Sequence, residues 1–449
     1  MIELTGESSR FCDGVSRRAF LRAGFLGVAG LGLADYLALK ARGASAIGPG
    51  GGKAKAVILI WMHGGPSHFE TYDPKPGAPA EYRGPWQAIP SRVPGIQLGE
   101  KLPLHAEIMD RVAVLRGFTH TDGDHWSAAN WMLTGYKGPN GANRAAKFPS
   151  IGSIVTRLKG ANRSDMPAYV NMNDGGFGYH GASYLGVACN PLQTGKDSYG
   201  NEAPPLPSAN TENFQLVGGI TPERFQGRRA LLQAFDTMRR DIDTTGALDG
   251  LDTFQRQAFD IILSGRARRA FELEREDPRV RDMYGPGWGE QALLARRLIE
   301  AGSTFVTVNT GYWDDHGDIN KRLGDKLPRH DRMMWALVRD LDRLGMLDST
   351  LVIAAGEFGR TPKMNAQGGR DHWPNAGSVF VAGAGVKGGQ VIGATNPRGE
   401  TVIDRPVGPN DFSAIFYHAL GVDPATTIPN PAGRPISLLP GGAVPTGLF

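Results

Sequence analysis

The 449-residue chain carries 49 Lys or Arg against 45 Asp or Glu, a net charge of +4 with the two signs interspersed, which excludes the electrostatic footprint of a nucleic-acid-binding surface. Apolar residues make up 41% and charged residues 21%, the balance of a globular protein long enough to bury a substantial core. Sixty-two glycines and 31 prolines predict long irregular connections between regular elements.

The segment "SRRAFLRAGFLGVAGLGLADYLALKARGASA" pairs Arg17 with Arg18, continues through a weakly apolar glycine-rich stretch and ends in small residues. It reads as a twin-arginine export signal over residues 1–46, so the expected destination is the periplasm or the exterior. That route carries chains already folded, which suits a protein that acquires a cofactor before export. Cleavage after about Ala46 would remove Cys12 and leave Cys189 alone, so no internal disulfide forms and stability rests on the core or on bound metal. No other stretch approaches the roughly 20 apolar residues that span a bilayer. A flexible linker over 47–55, containing "GPGGG", then leads into a single domain over 56–449.

That domain opens on "AVILIWM", a continuous apolar strand of the kind covered on both faces, which ends at "HGGPSHFETYDP". A second strand, "RVAVLRGFTH", ends at "TDGDHWSAANWMLTGY", whose later part has helical spacing. "PSIGSIVTRLKG" reads as a helix and "MPAYVNM" as a strand. Residues 221–280 hold three charged, apolar-periodic helices, read either as an insertion covering one side of the sheet or as its crossover helices. The alternation then resumes with "GEQALLARRLIEAG" (helix), "TFVTVNT" (strand), "RHDRMMWALVRDLDRLG" (helix), "TLVIAAG" and "SVFVAGAG" (strands) and "DFSAIFYHALG" (helix). Such alternation predicts an α/β fold, a largely parallel sheet with helices on both faces.

Parallel strands bring their carboxyl ends to one edge, where α/β proteins bind ligands. Here the first strand ends at His63 and His68, the second at His120 and His125, the third of the set in "GYWDDHGD" with Asp314 and His316, and the fourth at Glu357; "GRDHWP" adds His372, with Asp371 placed to orient it. Each alone is explained equally well by turn chemistry. Together they predict a metal site drawn from His63, His125, Asp314, His316, Glu357 and His372, holding one or two divalent ions, Zn first and Mn, Fe or Ca as alternatives. Arg360 or Arg370 would pair with an anionic substrate group or serve as a structural ion pair. Trp313 and Trp373 are expected to wall the site. His105, His330 and His418 lie in helical patterns and read as structural.

The set "RRAFLRAG", "VILIWMHGGPSHFETYDPKPGAPAEYRGP", "LTGYKGPN", "FVTVNTGYWDDHGD", "GEFGRTPKMN", "GRDHWPNA" and "NDFSAIFYHALG" resembles, in order and over nearly the whole chain, the exported family called domain of unknown function 1501. That family is in turn similar to the alkaline phosphatase and sulfatase superfamily, whose members hold one or two metals at the carboxyl edge of a parallel-rich sheet. The resemblance implies an alkaline phosphatase-like fold and hydrolysis of a phosphate or sulfate ester, on a small molecule or a polysaccharide. Carried over, the first acidic ligand falls on His63, the Asp-His pattern on Asp314 and His316 at shortened spacing, the next Asp-His pair on Glu357 and Phe358, and the last histidine on His372. The place of the nucleophilic hydroxyl, counted back from Thr134, falls on His125. With no hydroxyl there, metal-bound hydroxide is the expected nucleophile, His125 and Arg360 are the catalytic candidates, and Ser127 or Thr121 are alternatives that the spacing does not support. The rival reading is a non-catalytic exported protein on the same fold that binds metal or polysaccharide. An isomerase or transferase is a third.

Overall fold

The apolar run Ala56–Trp61 becomes β1, a central strand with all six residues buried. Numbered along the chain, the other strands of its sheet are β2 (Val112–Phe118), β3 (Tyr169–Met172), β4 (Leu192–Thr194), β5 (Phe305–Asn309), β6 (Thr350–Ala355), β7 (Gly377–Ala382) and β8 (Gln390–Ile392). Their spatial order is β8-β2-β7-β6-β1-β5-β3-β4. Strands β6, β1, β5, β3 and β4 are mutually parallel. Only β7 is reversed, antiparallel to both β6 and β2, while β8 runs parallel to β2. The result is the expected α/β architecture, a mixed and mostly parallel sheet.

This is a computed structural model, and it describes residues 52–138, 147–173, 177–195, 260–261 and 264–449. The described residues form one compact unit. The expected export signal lies outside the described residues, as does most of the expected linker. So does most of the 221–280 segment, of which the described part carries the short helices Arg266–Phe271 and Pro278–Tyr284.

Alternation along β1 feeds two cores. Ile58 and Ile60 pack with Val306 and Val308 under helices Trp288–Ala301 and Ile319–Arg343, through Leu293, Leu337 and Leu341. Val57, Leu59 and Trp61 face the other way, against helices His125–Thr134, Ile151–Lys159 and Pro409–Leu420, through Ala129, Leu133, Ile154 and Phe416. Helix Ile319–Arg343 starts well ahead of the expected run at 329 and passes through Pro328. Leu323, Lys326, Leu327 and His330 form one continuous buried face across that proline, which offsets the hydrogen bond it cannot donate. Among the described residues no helix is long and apolar enough to cross a membrane.

The topology decides where the polar residues meet. Strands β1, β2, β5 and β6 deliver the segments that follow them to one edge. Because β7 is reversed, the segment preceding it returns to that same edge, and there His372 pairs with Arg360 in a short antiparallel ladder.

Candidate metal centre

The turn after β1, His63-Gly64-Gly65, is the base of the site. Gly64 and Gly65 have φ of +102° and +76°. A Cβ on Gly64 would stand 2.6 Å from Asp314 N, and one on Gly65 2.8 Å from Phe358 O. Glycine therefore lets the turn lie against the loops after β5 and β6. Gly64 N–H donates to both carboxylate oxygens of Glu357, at 2.9 and 3.1 Å. The carbonyls of Gly64 and Gly65 accept from the Arg360 guanidinium. Trp313 N–H donates to His63 O at 2.9 Å, tying in the third loop.

Above this base three imidazoles converge on Asp314. His125 Nε2 is 3.3 Å from Oδ2, while His372 Nε2 and His316 Nε2 are 3.2 and 2.8 Å from Oδ1. His316 Nε2 and His372 Nε2 are 3.1 Å apart. On each ring the other nitrogen faces an acceptor: His125 Nδ1 lies 2.5 Å from Glu357 Oε1, His316 Nδ1 2.7 Å from Asp371 Oδ1, and His372 Nδ1 2.9 Å from the carbonyl of Gly123. Carboxylates and carbonyls only accept, so each Nδ1 holds a proton, and Nε2 is the nitrogen left to take either a second proton or a cation. Three lone pairs aimed at one carboxylate repel it unless a proton or a cation stands between. The buried Nε2 of His125, moreover, makes no properly angled hydrogen bond.

The donor set fits a divalent ion. His125, Asp314 and His372 offer ligand atoms that all lie within 4.8 Å of one another. Ligands about 2.1 Å from a shared ion stand ~3.0 Å apart at octahedral angles and ~3.4 Å apart at tetrahedral ones, and the 3.3 and 3.2 Å from Asp314 to His125 and His372 fall in that range. His316 meets the same carboxylate from the outer side, its side chain 46% exposed.

The electrostatics agree. Burial opposes a charge on His125, but its contacts with the Asp314 and Glu357 carboxylates outweigh it and raise its pKa to about 9, so that without an ion a proton takes the place between Nε2 and Asp314. Burial likewise opposes the Asp314 carboxylate, yet hydrogen bonds from His125 and His372 and the Arg360 charge hold its pKa well below the usual range. Arg360 donates to Asp314 Oδ1 at 2.6 Å and Tyr312 O–H to Oδ2 at 2.8 Å, which fixes the plane of the carboxylate.

Several expected residues take other positions. His63 is not among the three converging donors. It is buried beside Phe177 and Tyr312, with ring centroids 6.1 and 6.0 Å away, and burial together with the nearby charges of His125, His180 and Lys326 lowers its pKa to about 3. Glu357 lies behind His125. Arg360 is fully buried and bonded to Gly64, Gly65, Arg370 and Asp314. Arg370 spends its donors on Glu70 and on the carbonyls of Thr361, Pro362 and Tyr82. Ser127 Oγ is engaged by Asp122 Oδ2 at 2.5 Å and Gly138 O at 2.8 Å.

Trp313 does not wall the site. It belongs to the core, stacked on Trp288 at 5.7 Å, because alternation in the extended segment sends residues 313 and 315 away from 314 and 316. Asp315 accordingly pairs with buried Lys326 at 2.7 Å. The walls are rings that sequence reasoning missed. Phe177 stacks on His125 at 4.0 Å and 4°, and Phe358 packs at 4.9 Å from His125 and 4.8 Å from His372. Adjacency to Glu357 was the available signal for Phe358; Phe177 had none. His105 and His330 share the Tyr72 hydroxyl, 3.1 Å from each, in a buried network that ends on Asp331.

Among solved structures the chain is similar to the PsFucS1 sulfatase from Pseudoalteromonas sp., at 11% identity and TM-score 0.38 over 82% of this chain and 68% of that one. It is also similar to the lipoteichoic acid synthase LtaP from Listeria monocytogenes, at 9% identity and TM-score 0.37 over 83% and 72%. A third likeness is to the alkaline phosphatase from the Antarctic bacterium TAB5, at 12% identity and TM-score 0.36 over 83% and 98%. No curated protein matches the chain by sequence. The family described as protein of unknown function DUF1501 matches residues 54–448, and the chain belongs to that family.

Proposed function

We propose that the chain is an exported, divalent-metal-dependent hydrolase of phosphate or sulfate esters, with the ion held by His125, Asp314 and His372 and with His316 at its outer side. The observation that carries the metal part is the convergence of imidazoles, each with an acceptor at its Nδ1, on one carboxylate, an arrangement that needs a proton or a cation at its centre. The ester class comes from the resemblance in the sequence motifs, and export from the Arg17-Arg18 segment. A bound divalent ion supplies Lewis acidity toward an ester oxygen and toward water.

The chain's own residues do the rest. Arg360 and Tyr312 hold the Asp314 carboxylate in place, and Phe177 and Phe358 shield the inner side from bulk water. His316, with its Nδ1 facing Asp371, sets Nε2 2.8 Å from Asp314 Oδ1 at the solvent-facing edge of the site. The engagement of Ser127 by Asp122 supports water, not a side-chain hydroxyl, as the attacking group.

One observation favours a second reading, a metal-holding binding protein: the guanidinium groups of Arg360 and Arg370 are bonded to the protein. The experiment that separates the two loads purified protein with Zn2+ or Mn2+ and assays a panel of aryl phosphate and sulfate esters. Hydrolysis predicts turnover of at least one ester, abolished by Asp314→Asn. A protein that binds the ion yet is silent on every ester refutes the hydrolase and leaves the binding protein.

A further inference from the structure

We infer that Glu357 is a positioning residue for His125 and not a ligand of the ion. The inference rests on the metal site proposed above and assigns its inner edge a specific device. Glu357 is fully buried, and both of its carboxylate oxygens are engaged: Gly64 N–H donates to both, and His125 Nδ1 stands 2.5 Å from Oε1. It is also not one of the residues whose ligand atoms converge within 4.8 Å of one another, which are His125, Asp314 and His372. Where it sits, it fixes which nitrogen of His125 carries the proton. An acceptor at Nδ1 leaves Nε2 as the bare nitrogen, the one facing Asp314.

The ring has little freedom to choose otherwise. Phe177 lies flat on His125 at 4.0 Å, and Phe358 closes the other side at 4.9 Å. Glu357 itself is anchored at its backbone, where its carbonyl accepts from His120 Nε2 at 2.6 Å. Stacked rings thus set the plane of the imidazole, and the carboxylate sets its protonation pattern. The glycine turn after β1 belongs to the device, because the Gly64 amide keeps Glu357 an acceptor. An amide at 357 weakens the arrangement in either orientation, since its neutral oxygen is a poorer acceptor for His125 than a carboxylate. With its oxygen toward His125, its NH2 opposes the Gly64 N–H; with its NH2 toward His125, the ring must move its proton to Nε2 and loses the lone pair that binds metal.

The test compares wild type, Glu357→Gln and a control, Glu70→Gln, which alters a buried carboxylate bound to Arg370 and remote from His125. Zn2+ affinity is measured by competition with a chelator, and the His125 Nδ1–H resonance of the zinc-loaded protein is followed by 15N-edited NMR. Loss of an orienting partner of a ligand His weakens metal binding by roughly 10–100-fold. Glu357→Gln is expected to show that loss, together with disappearance or an upfield move of the His125 Nδ1–H signal, while Glu70→Gln keeps both. Unchanged affinity, or weaker affinity with the resonance unmoved, overturns the inference, the latter pointing to direct ligation. Wild type that takes up no zinc overturns the metal reading itself. Should the Gln variant not fold, Glu357→Asp retains the acceptor on a shorter arm; it should bind zinc more weakly with the resonance shifted upfield, and unaltered values would again refute the assignment.

Discussion

Removal of the Arg360 guanidinium tests how the site is held. In Arg360→Met the carbonyls of Gly64 and Gly65 lose their donor, and the Asp314 carboxylate loses its closest cationic partner, at 2.6 Å in a buried setting. Charge-assisted hydrogen bonds contribute about 1.5–3 kcal/mol, and removal of one partner of a buried ion pair costs about 3–5 kcal/mol, much of it for the charge left behind. The ion-free variant should therefore be about 3–5 kcal/mol less stable in urea titration. A divalent ion compensates the same carboxylate, and Arg360 repels that ion, so the stabilisation gained on adding Zn2+ should be larger in the variant than in wild type. A destabilisation below about 1 kcal/mol would show that Arg360 does not carry the site. A smaller gain from Zn2+ in the variant would show that the ion binds elsewhere.

Gly64→Ala places a Cβ 2.6 Å from Asp314 N at a φ of +102°, so it should cost more than about 2 kcal/mol by urea titration and weaken Zn2+ binding as well. Affinity at the wild-type level in a stable Gly64→Ala protein would show that the turn does not position Asp314. The ion-free protein should also have a stability maximum in pH. Burial lowers the pKa values of His63, His68 and His180 to about 3, 4 and 4, so below the ordinary 6.5 the unfolded chain takes up protons that the folded one refuses, and stability falls as pH drops toward 4. His125 acts in the opposite sense: raised to about 9, it stabilises below 6.5, and that contribution disappears as pH rises through 9. Thermal melts across pH should show both limbs, and His125→Asn should flatten the alkaline one. An alkaline limb undiminished in that variant would contradict the assignment.

Much of the framework was legible because it depends on local periodicity. "AVILIW" and "FVTVN" announce strands covered on both faces, and parallel pairing alone suffices to bring His63, Asp314 and Glu357 to one edge, whereas His125 joins them because β2 is aligned with β6 through the reversed β7. Period-two alternation correctly set Asp314 beside His316. The same alternation, applied to residue 313, would have sent its indole to the core. What the sequence hid was set by long-range geometry. His372 reaches the site because β7 is the one reversed strand, and no local pattern encodes that reversal. Arg360 and Arg370 look like anion clamps until the carbonyls that consume their donors are known. Glu357 stands where a ligand was expected, but which side of a carboxylate faces the cavity depends on the Gly64 amide and the His125 ring, both supplied by other strands. Phe177 arrives on a loop with no periodicity and ends flat on His125.

The most direct measurement is anomalous diffraction at the zinc edge from crystals of the zinc-loaded protein. The account predicts a strong peak bounded by His125 Nε2, the Asp314 carboxylate and His372 Nε2, with Glu357 still on His125 Nδ1. A site without a peak, or zinc bound only elsewhere while these three side chains keep their places, would contradict it.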